Sequence, residues 1–120
     1  MSALARVLLA LVAALHLYFL VLEMFLWRKP LGRRVFRMTE AQAEATATLA
    51  ANQGLYNGFL AAGLVWSLVA AQPLRAPLAT FFGGCVIVAG IFGAVTVSRR
   101  ILIVQALPAA LALAALWAAA

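Results

Sequence analysis

Four apolar segments separated by short polar breaks leave this chain few ways to fold. An apolar stretch of about 18 or more residues with few charges is typical of a transmembrane helix. Hydrophobic residues make up 68% of the chain, well above the roughly 45–50% of an average soluble domain. We therefore predict an all-α polytopic membrane protein, a bundle of four transmembrane helices. Residues 1–120 form one domain in this prediction, with helices at about 3–27, 40–71, 78–97 and 101–117.

Basic residues concentrate in the loop 28–37, directly after the first predicted helix. They are Arg28, Lys29, Arg33, Arg34 and Arg37. Loops rich in Lys and Arg face the cytoplasm, where they meet anionic lipid headgroups. Four spans then place loops one and three in the cytoplasm and both termini outside, in a cell (inner) membrane. Although the net charge is +6, the bases form no nucleic-acid-binding motif, so a lipid bilayer is the expected partner.

Local signals set the start of the second helix and a weak point in the fourth. Thr39 and Gln42 fit a capping box, in which each residue satisfies a backbone N–H of the other. Pro108 lies within the fourth predicted helix and removes a backbone hydrogen bond near Val104 and Gln105. We expect the helix to bend there. Small residues at Gly54 and elsewhere on the second and third helices predict close helix packing.

Ionisable side chains are costly in hydrocarbon and usually mark a site, a partner or a cavity. Glu23 lies five residues before Arg28, near the cytoplasmic end of the first helix. The second helix carries its densest polar cluster at a similar depth, and the fourth helix adds a glutamine one turn in from its start. We predict that these side chains line one polar pocket on the cytoplasmic side: Glu23, Asn52, Tyr56, Asn57 and Gln105.

His16 is the only histidine and lies near the midplane of the first helix, on the same face as Glu23. It is a candidate ligand-binding residue, and a buried packing role is the alternative. One histidine, the single Cys85 and one membrane-level carboxylate do not make a metal site. The roles of His16 and Cys85 stay open at this stage.

The polar sequence motifs of the chain resemble those of one small bacterial integral membrane family, catalogued as domain of unknown function thirteen-hundred-and-four. The resemblance extends over nearly the whole chain. It implies a class of protein without an assigned activity. It rests on His16-x-Tyr18, Glu23-Met24, Trp27, Asn52-Gln53-Gly54-x-Tyr56-Asn57-Gly58-x-x-Ala61-x-Gly63-Leu64, Ala89-Gly90-x-x-Gly93 and Gln105-x-x-Pro108-Ala109.

A more distant similarity is to the membrane-associated eicosanoid and glutathione metabolism proteins. These proteins have four helices, and their second helix carries the motif Arg-x-x-x-Asn-x-x-Glu-Tyr. Asn52 and Tyr56 match this motif, whereas Thr48 and Leu55 replace its Arg and Glu. The similarity implies a glutathione-like thiol as cofactor. Arg99 and Arg100, at the start of the fourth helix, are the candidate cations that would stabilise its thiolate.

The candidate functions fall into three classes. The first is binding or processing of a lipophilic small molecule at the cytoplasmic pocket. The second is a small proton-coupled exporter with Glu23 as carrier, which is similar to the small multidrug resistance transporters in length and in its helix-one glutamate. The third is a structural or accessory membrane protein. Whether the chain is an enzyme stays open, and a homo-oligomer is expected because four short helices enclose little volume.

Overall fold

A computed structural model describes residues 1–119, and every regular element in them is helical. The all-α prediction is therefore confirmed for this part of the chain. The elements are α1 (Ala3–Met24), α2 (Pro30–Val35), α3 (Glu40–Val69), α4 (Arg75–Thr96) and α5 (Leu107–Ala118), with a π-helical turn at Leu102–Ala106 before α5. By length and apolar composition, two of these helices, α1 and α4, are able to cross a membrane, and Leu102–Ala118 is a shorter apolar helix.

The long helices lie close to the predicted positions, with differences at their ends. α1 ends at Met24 rather than at residue 27, and α4 begins at Arg75 rather than at residue 78. The capping box is confirmed: the Thr39 N–H donates to Gln42 Oε1 at 2.9 Å, and the Gln42 N–H donates to Thr39 Oγ1 at 3.1 Å. These two bonds fix the start of α3, because they satisfy N–H groups that have no partner within the helix.

The short helix α2 was not predicted, and two residues explain it. Pro30 occupies the first turn, where its fixed φ suits a helix and its missing N–H costs nothing. Gly32 is buried against the end of α1, and a Cβ there would lie 2.1 Å from the Leu26 carbonyl oxygen. Only glycine allows the two backbones to approach this closely.

The helix that contains Pro108 departs from α geometry one turn before the proline, at Leu102–Ala106. Proline has no N–H for the carbonyl one turn earlier, and π-helical turns accommodate such interruptions. The interruption predicted near Val104 and Gln105 is therefore present as a π-helical turn, and the bend stays a prediction. The turn also packs tightly, since a Cβ on Gly90 would lie 2.6 Å from the backbone nitrogen of Ala106.

The described residues divide into two compact units, Leu15–Phe59 and Met1–Ala14 with 60–119. The core of the second unit is built from aliphatic side chains of α1, α3, α4 and α5, among them Leu9, Val12, Leu64, Val86 and Leu116. In this unit the Trp117 indole donates to Thr80 Oγ1 at 3.0 Å. The first unit buries Leu22, Ala43 and Ala50 together with polar side chains described below.

Large apolar side chains cover the outside of every long helix. Leu4 on α1 is 61% exposed, Leu49 on α3 73% and Val95 on α4 81%. The same holds for α5 and the turn before it, where Ile103 and Leu111 are exposed. An exterior of this kind is unusual for a protein surrounded by water.

Replacing Gly90 by Ala should lower the free energy of unfolding by about 1–3 kcal/mol, because the added methyl meets the Ala106 backbone. The matched control is Gly84→Ala on the same helix, where a Cβ meets nothing within 4 Å. The control should be neutral or slightly stabilising, since alanine is the better helix former. Thermal unfolding in detergent, followed by tryptophan fluorescence, compares the two; equal midpoints would contradict the close packing of α4 on the π-helical turn.

Candidate functional site

A buried polar pair joins α1 to α3 within the unit Leu15–Phe59. The Asn57 amide nitrogen donates a hydrogen bond to Glu23 Oε1. Glu23 is 8% exposed and Asn57 5%. A buried carboxyl group needs a hydrogen-bond donor because it has lost its contact with water. Asn57 is therefore the residue that makes the burial of Glu23 tolerable.

Two glycines allow this pair to form. A Cβ on Gly54 would lie 2.7 Å from Met24 Cγ and 3.0 Å from Glu23 Cβ, and one on Gly58 would lie 2.7 Å from Leu20 Cδ1. α1 and α3 consequently approach each other more closely than helices with larger residues at these positions. This is the packing role that the small-residue pattern predicts. The close approach brings the short side chain of Asn57 within reach of Glu23.

A second polar layer lies where α1 gives way to the linker. The Trp27 indole N–H donates to Thr46 Oγ1 at 3.0 Å, and the Thr46 hydroxyl donates to the Gln42 carbonyl oxygen at 2.7 Å. Arg28 pairs with Glu44 at 3.0 Å. This ion pair is exposed, so it contributes little stability, roughly 0–1 kcal/mol. The layer fixes the direction in which the chain leaves α1.

Between the buried pair and this layer lies a groove of about 520 Å³. This volume is within the range of about 300–1,000 Å³ that is typical of small-molecule sites. Its wall combines apolar surface with one carboxyl group, two cations and a hydroxyl. The lining residues are Glu23, Met24, Phe25, Trp27, Arg28, Lys29, Ala47, Thr48 and Ala51. We call it the Glu23 groove.

His16 is fully buried and lies outside the lining of the Glu23 groove. Its ring packs edge-on against Phe19, with 5.8 Å between the ring centroids and an angle of 74° between the planes. The structure thus places His16 in the same unit as Glu23, in contact with Phe19. Its assignment as a ligand-binding residue stays a prediction, as does any role for the partly buried Cys85.

The predicted pocket residues do not all meet. Glu23 and Asn57 are in contact, whereas Asn52 and Tyr56 are exposed and do not line the Glu23 groove. Gln105 is partly buried in the π-helical turn of the other unit. A shared pocket that includes Gln105 therefore stays a prediction. The same holds for a thiol cofactor beside Arg99 and Arg100, which are exposed residues just before that turn.

Sequence reasoning missed most of the groove. Arg28 and Lys29 were interpreted only as bases of a cytoplasmic loop, and Trp27 and Thr48 only through resemblances to families. Ala47 and Ala51 had no interpretation. A signal for part of the groove does exist, because residues 44, 47, 48 and 51 follow the spacing of one helix face. Their meeting with Arg28 and Lys29 depends on the path of the linker, which no local pattern encodes.

Removal of the Asn57 amide, the hydrogen-bond donor to Glu23, tests the contribution of the buried pair to stability. Asn57→Ala should lower the free energy of unfolding by about 1–3 kcal/mol, because Glu23 is left buried without a partner. The control, Glu44→Gln, breaks only the exposed pair with Arg28 and should cost roughly 0–1 kcal/mol. Chemical unfolding of both variants in one detergent provides the comparison. If Glu44→Gln lowered the free energy of unfolding as much as Asn57→Ala, the buried pair would contribute no more stability than the exposed pair.

A family model described as "Protein of unknown function (DUF1304)" matches residues 10–117. "Uncharacterized protein YpaA" of Lactococcus lactis subsp. lactis (strain IL1403) is 32% identical over 117 residues, which cover 94% of this chain and 96% of that protein. No solved structure matches the chain significantly. The expectation of a family without an assigned activity is confirmed, while the similarity to the eicosanoid and glutathione metabolism proteins stays a prediction.

Proposed function

The chain belongs to this family of proteins of unknown function, which assigns no activity, and we propose from the Glu23 groove that it binds a lipophilic molecule with an anionic head group. In this proposal it is an integral membrane protein with four spans, and the groove opens at the cytoplasmic face of the bilayer. The observation that carries the proposal is the groove itself, whose wall combines apolar side chains with two cations.

The apolar exterior supports the membrane part of the proposal. α1 and α4 have the length and composition of spanning helices, and Leu102–Ala118 is a shorter apolar helix. α3 has 30 residues, roughly 45 Å at 1.5 Å per residue, and so is longer than the hydrocarbon is thick. The exposed side chains on all of these helices would be in contact with lipid tails rather than with water.

The basic residues support one orientation. Five Lys and Arg side chains lie in 28–37 and two more at Arg99 and Arg100, whereas Arg6 and Arg75 are the bases of the opposite side. By the positive-inside rule the first and third loops are cytoplasmic, which places both termini outside.

A C-terminal fusion tests this topology in cells. An alkaline phosphatase fusion after residue 119 should be active, and a green fluorescent protein fusion at the same position should be dark, because the C-terminus lies outside the inner membrane. The same pair of reporters placed within 28–37 should give the reverse result. A bright fluorescent fusion at the C-terminus would refute the proposed orientation.

The chemistry of the groove supports an anionic amphiphile. Trp27, Met24 and Phe25 offer apolar contact, and tryptophan is common at the level where tails meet head groups. Lys29 and Arg28 are exposed, with Arg28 paired to Glu44, whereas Glu23 is 8% exposed and already accepts a hydrogen bond from Asn57. A head group at the mouth would meet the cations before it meets the carboxyl group.

One observation favours a second candidate. Because the carboxyl group of Glu23 lines the groove, a lipophilic cation is the ligand that a proton-coupled exporter would carry there. The two candidates require opposite head-group charges.

Ligand charge separates the two candidates. Oleate should bind the purified protein more tightly than oleylamine, and Lys29→Ala should weaken oleate several-fold, since an exposed ion pair contributes up to about 1 kcal/mol. Displacement of a fluorescent fatty acid gives the affinities. Preference for oleylamine would favour the exporter, and binding of neither probe would favour the structural or accessory role.

Filling the groove tests its position. Ala47→Leu adds volume inside the groove and should weaken oleate binding at least tenfold, because the tail and the new side chain compete for one space. Ala45→Leu is the matched control, two residues away on α3 and exposed outside the lining. Equal affinities of the two variants would place the ligand elsewhere.

A further inference from the structure

The side of α3 turned away from α1 combines polar and apolar exposed residues. Gly54 and Gly58 contact α1, and the opposite side carries two amides without a side-chain hydrogen bond among residues 1–119. Tyr56 there is 51% exposed, Phe59 57% and Leu49 73%. We call this surface the amide face, and its residues are Leu49, Asn52, Gln53, Tyr56 and Phe59.

The amide face lies further from the start of α3 than the polar layer at the end of α1. Thr46 accepts the hydrogen bond of the Trp27 indole, and indoles are enriched where the bilayer meets water. Asn52 lies six residues after Thr46 on α3, roughly 9 Å at 1.5 Å per residue, and Tyr56 lies ten residues after Thr46, roughly 15 Å. With the membrane placement proposed above, both amides lie in hydrocarbon, where lipid tails offer them no hydrogen bond.

We infer that the amide face is the contact surface between two copies of this chain. A primary amide both donates and accepts hydrogen bonds, so its charge distribution is complementary to that of a second amide. A second copy has the same topology and therefore carries Asn52 at the same depth. Two α3 helices that run in parallel, related by an axis along the membrane normal, pair these amides without any shift.

The flanking side chains fit the same arrangement. Leu49 lies one turn before Asn52 or Gln53, and Phe59 lies beyond Tyr56, so the amides have apolar neighbours on both sides along the helix. Helix pairs in membranes are held by such packing together with interhelical hydrogen bonds from Asn and Gln. The amide face and the Glu23 groove share no residue. The inference therefore rests on the proposed membrane placement and is independent of the proposed ligand.

Disulfide cross-linking tests the contact in native membranes. In a Cys85→Ala background, Asn52→Cys should form a covalent dimer on mild oxidation, because the axis passes close to this residue. Phe92→Cys is the control: it is also an exposed residue, at 69% exposure, and it lies on a different helix, α4. Cross-linking at Phe92 as fast as at Asn52 would overturn the inference, and so would the absence of any dimer at Asn52.

Association in liposomes supplies a second readout. Fluorescence energy transfer between labelled copies, measured at increasing lipid dilution, gives the association constant. Asn52→Leu should lower this constant roughly threefold to tenfold, whereas Asn52→Gln should retain most of it, because the longer side chain keeps the amide. Phe92→Leu, on the α4 surface, should leave it unchanged.

The membrane placement is checked separately from the contact. Protein that stays in carbonate-washed membranes but shows no energy transfer at any density would refute the amide-face contact and leave the proposed function intact. Protein released by carbonate would refute the membrane placement on which both proposals rest. An association constant that Asn52→Leu does not change would also overturn the amide-face contact.

Discussion

The hydrogen bond from Asn57 to Glu23 is the interaction on which the first unit depends. A carboxyl group at the end of an apolar helix is costly unless a donor meets it, and here the donor comes from a residue 34 positions away. Gly54 and Gly58 make the meeting possible because neither places a Cβ between α1 and α3. The close packing of α1 on α3 therefore also provides the hydrogen-bond donor that Glu23 needs.

The groove follows from this pairing. Once α1 and α3 are joined at Glu23 and Asn57, the next turn of α3 toward its start lies opposite the end of α1. The bond from Trp27 to Thr46 and the pair of Arg28 with Glu44 then hold the start of the linker against the first turns of α3. Gly32 lets α2 pass close to Leu26. The space left between the buried pair and the linker is the Glu23 groove.

α3 presents different chemistry on different sides. The side that packs on α1 at Gly54 and Asn57 also lines the groove, with Ala47 and Ala51 nearer the start of the helix; the opposite side is the exposed amide face. The role of a polar residue on α3 therefore depends on the side of the helix that carries it. The amides of Asn52 and Asn57 are chemically equal, yet one stabilises a buried carboxyl group and the other is free to meet a partner.

Much of the fold could be predicted from the sequence because the signals are local. Apolar length places the long helices, Thr39 and Gln42 start α3, and Pro108 marks the π-helical turn. The site was predictable only in part: Glu23 and Asn57 were in the expected cluster, but Asn52 and Tyr56 are not beside them.

The sequence by itself determined that the chain is helical, where its long helices lie and which polar residues they carry. Tertiary structure alone decided which of those residues meet. Asn52 and Asn57 are five positions apart, roughly 140° around the helix, so they point to different sides. Buried and exposed residues of α3 include equally hydrophobic side chains, such as Leu64 and Leu49, so hydropathy does not specify the rotation of α3 about its axis. Close packing at Gly54 and Gly58 specifies this rotation, and the rotation determines which residue meets Glu23.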